Sequence, residues 1–350
     1  VVFFAAWIFL KHTIQNEEIN QMDWKVISVY ATPGILPGGA VDGETPQYFR
    51  LADAKKVDLS EAEANNSDDW DIAFKRSVVY LNSGVAGIGS VQGCLLDPPI
   101  NASRDEFIKM TDKEWAPKFD AVKDVAPNVK WKEEAVEPAI FGWREKDAEH
   151  WKAPVAKGWK LRLANGKSYA KMRIRKIGAD GESITFQYAY QDGKDKPLCD
   201  DSVDMLKPGE AFKFSSGTVV EANGVGWDIK HQGRKLITNS SVSGGGKGGA
   251  IGSNKFGAKW STIDNPGDSI AYFMDEYGEI FRTPKWYRYN VDGNHYVHPN
   301  GAVYGIKVKN QVYKVQIFSY NIFKGELGKA LGVEEATDEA EKLEMRIARL

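Results

Sequence analysis

Two stretches of this chain carry the same residues at the same spacing. Trp70-Asp71-Ile72 is followed by Asn82-Ser83 and then by Val85, Gly87 and Gly89. Trp227-Asp228-Ile229 is followed, without a gap, by Asn239-Ser240, Val242, Gly244 and Gly246. Upstream, Phe49, Leu51 and Val57 are spaced as Phe212, Phe214 and Val220 are; downstream, His150, Pro154 and Trp159 recur as His295, Pro299 and Tyr304. A tandem duplication accounts for this, and the unit to explain is one module of roughly 130 to 170 residues, an ordinary domain size.

With 350 residues, 42% of them hydrophobic and 12% aromatic, the chain can bury two cores. The formal charge of -2 supplies no basic field for a polyanion, so nucleic acid is not an expected partner. Two cysteines, Cys94 and Cys199, are too few for a metal knuckle or a disulfide scaffold. They could pair across the modules or stay as separate thiols.

Val1 to Leu10 carries no charge, and a polar run from Lys11 through Gln21 follows at once. Ten apolar residues cover about 15 Å of helix, half a bilayer core. Residues 1–22 therefore read as the end and exit of a transmembrane anchor, with Trp7, Lys11 and His12 at the interface. A signal-peptide remnant and a buried strand are the rival readings. Residues 23–46, with Pro33, Pro37 and several glycines, read as an extended connector.

Short alternating segments rich in β-branched and aromatic residues, separated by Asn165-Gly166, Asp180-Gly181 and similar turns, predict an all-β fold. The first module is expected over 47–191, a linker over 192–207 and the second module over 208–323. Residues 103–135 differ. Phe107, Met110, Trp115, Phe119 and Val122 fall at helical intervals and predict one or two short helices in the first module only. In 324–350, the spacing of Ala336, Ala340, Leu343, Ile347 and Leu350 predicts an amphipathic helix whose apolar face docks on a partner.

The run Trp70-Asp71-Ile72-Ala73-Phe74, with Asn82-Ser83-Gly84 and the glycine-rich loop, resembles the HmuY family. The later pattern Trp286 to Tyr289, His295, Pro299, Tyr304 to Val308, Tyr313 and Lys314 is similar to it too, as is its first-module counterpart from Trp143 to Lys171. The resemblance covers most of residues 47–323. It implies a tandem pair of HmuY-like β-sheet modules, and the best-known members of that family are bacterial haem-binding lipoproteins.

Haem capture needs axial His or Met ligands across an apolar slot. His150 and His295, at equivalent repeat positions, are the haem candidates, though a His at a turn before Pro can as easily satisfy backbone groups. His295 and His298 have a metal-chelating spacing without a third ligand nearby, and His231 is expected at the surface. Gly244-x-Gly246-x-x-Gly249 formally fits a dinucleotide fingerprint, but its counterpart has Gln92 for the third glycine and no helix follows. Asp71 and Asp228, repeated with their Trp, are expected to bond backbone rather than catalyse. No catalytic constellation is present in the sequence.

These features predict a non-catalytic accessory or scaffold subunit. A single-pass anchor, residues 1–10 in the bilayer, would hold two periplasmic modules on a bacterial membrane, where they bind an integral membrane protein complex, electron-transfer or photosynthetic in kind. The alternative is a haem-binding carrier of the HmuY type. No stoichiometric cofactor is expected in the first case, because His150 and His295 fall in separate modules; haem is the cofactor in the second.

Overall fold

A computed structural model describes residues 24–31, 46–147, 150–240, 242–252, 259–269, 271–282, 284–293, 296–324 and 339–350. The anchor expected at residues 1–10 and most of the connector lie outside these residues. Among the described residues no helix is long and apolar enough to cross a membrane.

The described strands begin with β1 (Lys25–Ala31), β2 (Gln47–Arg50), β3 (Lys55–Val57), β4 (Ile72–Lys75), β5 (Val78–Leu81) and β6 (Gln92–Asp97). Then come β7 (Val136–Glu137), β8 (Glu145–Asp147), β9 (His150–Lys152), β10 (Trp159–Arg162), β11 (Tyr169–Ile177), β12 (Ile184–Gln191) and β13 (Ser202–Leu206). The chain continues through β14 (Ala211–Lys213), β15 (Thr218–Val220), β16 (Ile229–Gln232), β17 (Lys235–Thr238), β18 (Gly249–Gly252) and β19 (Glu276–Tyr277). Last are β20 (Tyr287–Tyr289), β21 (Val297–Pro299), β22 (Val303–Val308), β23 (Gln311–Lys324) and β24 (Glu339–Arg349). The fold is mostly β, as the alternating segments predict.

The strands form two compact units. The first takes β1, Thr45–Glu133 and Ile280–Leu350; the described residues of the second are Glu134–Glu279. The expected modules, 47–191 and 208–323, are stretches of sequence, and the compact units cut across both.

In the first unit a five-stranded antiparallel sheet runs β1-β24-β23-β22-β6 and a four-stranded one β3-β2-β4-β5. Phe49, Ile72, Phe74 and Leu81 from the smaller sheet share one core with Tyr304, Val315, Ile317 and Met345 from the larger. The larger sheet's other face is covered by the helix Asp112–Ala121, whose Phe119 packs with Val303 and Ala348. The helical reading of 103–135 holds there: Arg104–Phe107 and Asp112–Ala121 each begin with a reciprocal cap, Ser103 with Glu106 and Thr111 with Glu114.

In the second unit the sheets are β13-β12-β11-β10-β18 and β15-β14-β16-β17. Leu161, Met172, Ile174 and Phe186 meet Phe212, Phe214, Ile229 and Leu236 in its core. Phe186, Tyr188, Phe212 and Phe214 pack largely edge to face, with centroids 5.0 to 6.3 Å apart.

The C-terminal helix is corrected. Residues 339–349 form β24, paired along its length with β23 and with β1. Glu, Lys, Leu, Met and Ala favour helix locally, but Leu343, Met345 and Ile347 alternate with Glu344 and Arg346, and pairing on both edges outweighs propensity. Leu343 and Ile347, placed on a docking face by the helical reading, are buried in the first unit's own core. Ala336 and the Ala340 side chain lie outside what is described, and Leu350 is half-buried.

Candidate functional site

The repeated Trp-Asp-Ile and Asn-Ser-Gly residues form a structural lock in each unit. Asn82 donates through Nδ2 to the carbonyls of Trp70 and Ser67, both at 2.9 Å, and its Oδ1 accepts from Gly89 N at 2.9 Å. Asn239 does the same with Trp227 at 2.8 Å, Gly224 at 2.9 Å and Gly246 at 3.0 Å. Asp71 accepts from Leu51 N at 2.8 Å and Asp228 from Phe214 N at 2.9 Å; burial raises both carboxyl pKa values. The glycines give the loop room. A Cβ on Gly244 would stand 2.4 Å from Asn239 Oδ1 and 2.7 Å from Trp227 Cζ2. The fingerprint-like spacing thus serves close approach to Asn239, and the strand β18 follows it instead of a helix.

A second feature of the first unit is a cleft of about 310 Å³, which opens between the loop joining the two short helices, the strand β21 and the far part of β23. Met110, Trp115, Tyr296, His298, Phe318 and Tyr320 are among its lining residues. The walls are braced from behind. Gln316 donates through Nε2 to the Trp115 and Gly301 carbonyls, each at 3.1 Å. Gly301, at φ +75°, leaves room for the Trp115 ring, which a Cβ there would approach to 2.8 Å. Lys314 Nζ donates to the Phe119 and Val122 carbonyls at 2.7 Å, holding the helix's last turn as a cation should. Burial pushes the Lys314 ammonium down to about 8.

His298 stands on β21 opposite Arg288 of β20. Its Nε2 lies 3.5 Å from Asp292 Oδ2, within ion-pair range, yet makes no hydrogen bond and is buried. Arg288 fixes the neighbouring strand, donating to the Ala102 and Ile100 carbonyls at 2.8 and 3.0 Å while its guanidinium covers the Phe107 ring at 4.2 Å. Tyr320 packs on Trp286 with centroids 5.8 Å apart. The arrangement offers an imidazole with an orphaned nitrogen and a thioether, set among aromatic faces.

The other histidines are placed differently. His150 is exposed on β9, in register with Asp147 of β8, and the adjacent Trp151 ring carries the Arg144 guanidinium at 4.4 Å. His295 lies outside the described residues, so only His298 of the proposed chelating pair is placed. Among the described residues no group of three or more His, Cys, Asp or Glu could hold a metal ion. His231, expected at the surface, is fully buried. Its Nε2 meets the Glu182 carbonyl at 2.8 Å and its ring stands edge-on to Trp143, because β16 turns that position inward. Cys94 is buried in β6, Cys199 is exposed, and both are free thiols. Burial raises the Cys94 thiol to about 11, which keeps it protonated at neutral pH.

The sequence marks Met110 and Trp115 only as helix-spaced residues and Tyr320 only as the end of the HmuY-like pattern, and gives no sign of Tyr296. The available signal was the insertion itself, which the second repeat lacks.

Residues 44–190 match the family model of the HmuY protein. No curated protein matches the chain. The matched segment is a single copy, and the boundary between the compact units at Glu133 and Glu134 falls inside it.

Proposed function

We propose that this protein is a non-catalytic tetrapyrrole-binding carrier, with haem as its ligand and the first unit's cleft as its site. The observation that carries the reading is the His298 Nε2, buried without a hydrogen bond beside an aromatic-lined cleft, with Asp292 Oδ2 3.5 Å away; a buried polar atom left without a hydrogen bond is costly unless a ligand satisfies it. The HmuY family match supports the ligand class. His298 and Met110 are the side chains that would hold the group, both of types that ligate haem iron. Bound there, haem would supply a coordinated iron and a planar apolar face. Trp115, Phe318 and Tyr320 would pack on that face, and a 310 Å³ cleft suits an edge of the macrocycle better than full enclosure.

This reading replaces the expectation of no cofactor, which weighed only His150 and His295 as ligand pair. It is also preferred over the membrane scaffold, since the helix that was to dock on a complex is the paired strand β24. Action outside the cytoplasm, with residues 1–10 as a tether, belongs to the same proposal.

Haemin titration of the purified protein is the test. A saturable Soret shift that His298→Ala abolishes and His150→Ala leaves intact is the expected result. No shift, combined with a membrane complex that co-purifies in mild detergent, would restore the scaffold reading.

A further inference from the structure

The four- and five-stranded sheets of the two units repeat each other, but their parts come from the sequence in different orders. The four-stranded sheet β3-β2-β4-β5 corresponds to β15-β14-β16-β17, and the five-stranded β1-β24-β23-β22-β6 to β13-β12-β11-β10-β18. Register agrees as well as order. Phe49 opposes Ile72 as Phe212 opposes Ile229, and Ile72 opposes Leu81 as Ile229 opposes Thr238. In the large sheets, Gly305 stands between Cys94 and Lys314 as Lys160 stands between Ile251 and Lys171.

These pairings connect the wrong halves for two side-by-side modules. Strand β6 follows the first Trp-Asn-glycine lock, yet it pairs with β22, which follows the second. Strand β18 follows the second lock and pairs with β10, which follows the first. The chain leaves the first unit at Glu133–Glu134 and returns at Glu279–Ile280, each time between a lock and the large-sheet strands that come after it.

We infer that the chain is a tandem pair of one module whose C-terminal halves are exchanged within the polypeptide. Each compact unit then combines the lock half of one copy with the sheet half of the other. The second unit becomes a continuous segment in circularly permuted order, and the first is closed by the two ends of the chain. The single family match fits this, since one contiguous copy, residues 44–190, is divided between the units.

The exchange is physically permitted because equivalent strands present equivalent edges. Register, set by the alternation of inward and outward side chains, does not distinguish β10 from β22 as the partner of β6. Its consequence is a composite cleft: Met110 and Trp115 come from the first copy and His298, Phe318 and Tyr320 from the second. The second unit has Ala153 before Pro154 where the first has His298 before Pro299, so that histidine has no equivalent there. The inference itself does not depend on the ligand.

Disulfide trapping in the full chain with Cys199→Ser tests it. Antiparallel partners lie within disulfide reach. With Lys160→Cys and Ile251→Cys together, oxidation should join positions 160 and 251 within a monomer and leave Cys94 free. Gly305→Cys alone should join Cys94. Lys160→Cys alone should remain a free thiol, whereas unexchanged modules would join it to Cys94. Peptide mapping reads each outcome. A 94–160 cross-link, cross-links only between two chains, or failure of both expected cross-links overturns the inference.

Discussion

Asn239 carries Trp227 on its side-chain amide: Nδ2 donates to the Trp227 carbonyl at 2.8 Å inside a site where Asn239 is completely buried. The same amide group holds Gly224 and Gly246, so one side chain closes a loop, a strand start and a turn. Asn239→Ala leaves two buried backbone groups, the Trp227 carbonyl and the Gly246 N–H, without this partner, and also frees the more exposed Gly224 carbonyl. It should destabilise the second unit by about 2 to 4 kcal/mol, since each buried unsatisfied group costs about 1 to 3. Urea denaturation followed by tryptophan fluorescence measures this, and a change below about 1 kcal/mol would contradict the lock.

Gly244→Ala attacks the same lock sterically. The new methyl would meet both Asn239 Oδ1 and the Trp227 ring inside contact distance. A loss of about 1 to 3 kcal/mol is expected. Unchanged stability in Gly244→Ala would mean that the close approach to Asn239 and Trp227 does not select glycine here.

Met345 discriminates strand from helix at the C-terminus. On a helix it would lie off the stripe of Leu343 and Ile347; on β24 it is fully buried beside them. Met345→Asp should therefore unfold the first unit or cost about 3 kcal/mol or more, by burying an unpaired charge. Wild-type stability in that variant would revive the helix.

His231 gives stability a pH dependence. Burial holds its pKa below 6.5, and the orphaned Nδ1 has no acceptor for a second proton. Its folded pKa is depressed, so the unfolded chain takes up the proton first. Stability is complete above about 6.5 and falls as pH drops below it, by at most about 1.4 kcal/mol per pH unit. Asp275 acts in the opposite sense: burial raises it to about 6, so its contribution declines as pH rises from 3.8 to 6. The difference between wild type and His231→Gln isolates the histidine. That difference should change between pH 7.5 and 5.5, and a constant difference would refute the assignment.

Haem should bind once per chain. Only the first unit has the insertion and His298, so haemin titration should saturate at one equivalent, with Met110→Ala weakening binding at least tenfold. Saturation at two equivalents would assign a site to each unit.

The sequence by itself determined the local pieces: that short strands separated by turns such as Asn165-Gly166 and Asp180-Gly181 dominate, why Trp70 and Trp227 recur with Asn82 and Asn239, and that 103–135 holds two short helices. Each follows from nearby residues, through alternation, turn chemistry and caps, and needs no knowledge of the rest of the chain. Tertiary structure alone decided which β-strands from distant parts of the sequence pair. Strands β10 and β22 carry the same pattern, so nothing local says that β6 takes the later one. It likewise decided that Glu339–Arg349 is a strand, because its helix-forming residues yield to two paired edges. The cleft follows from both choices: Met110 and His298 reach one site only after β22, β23 and β24 have closed the unit begun by β2.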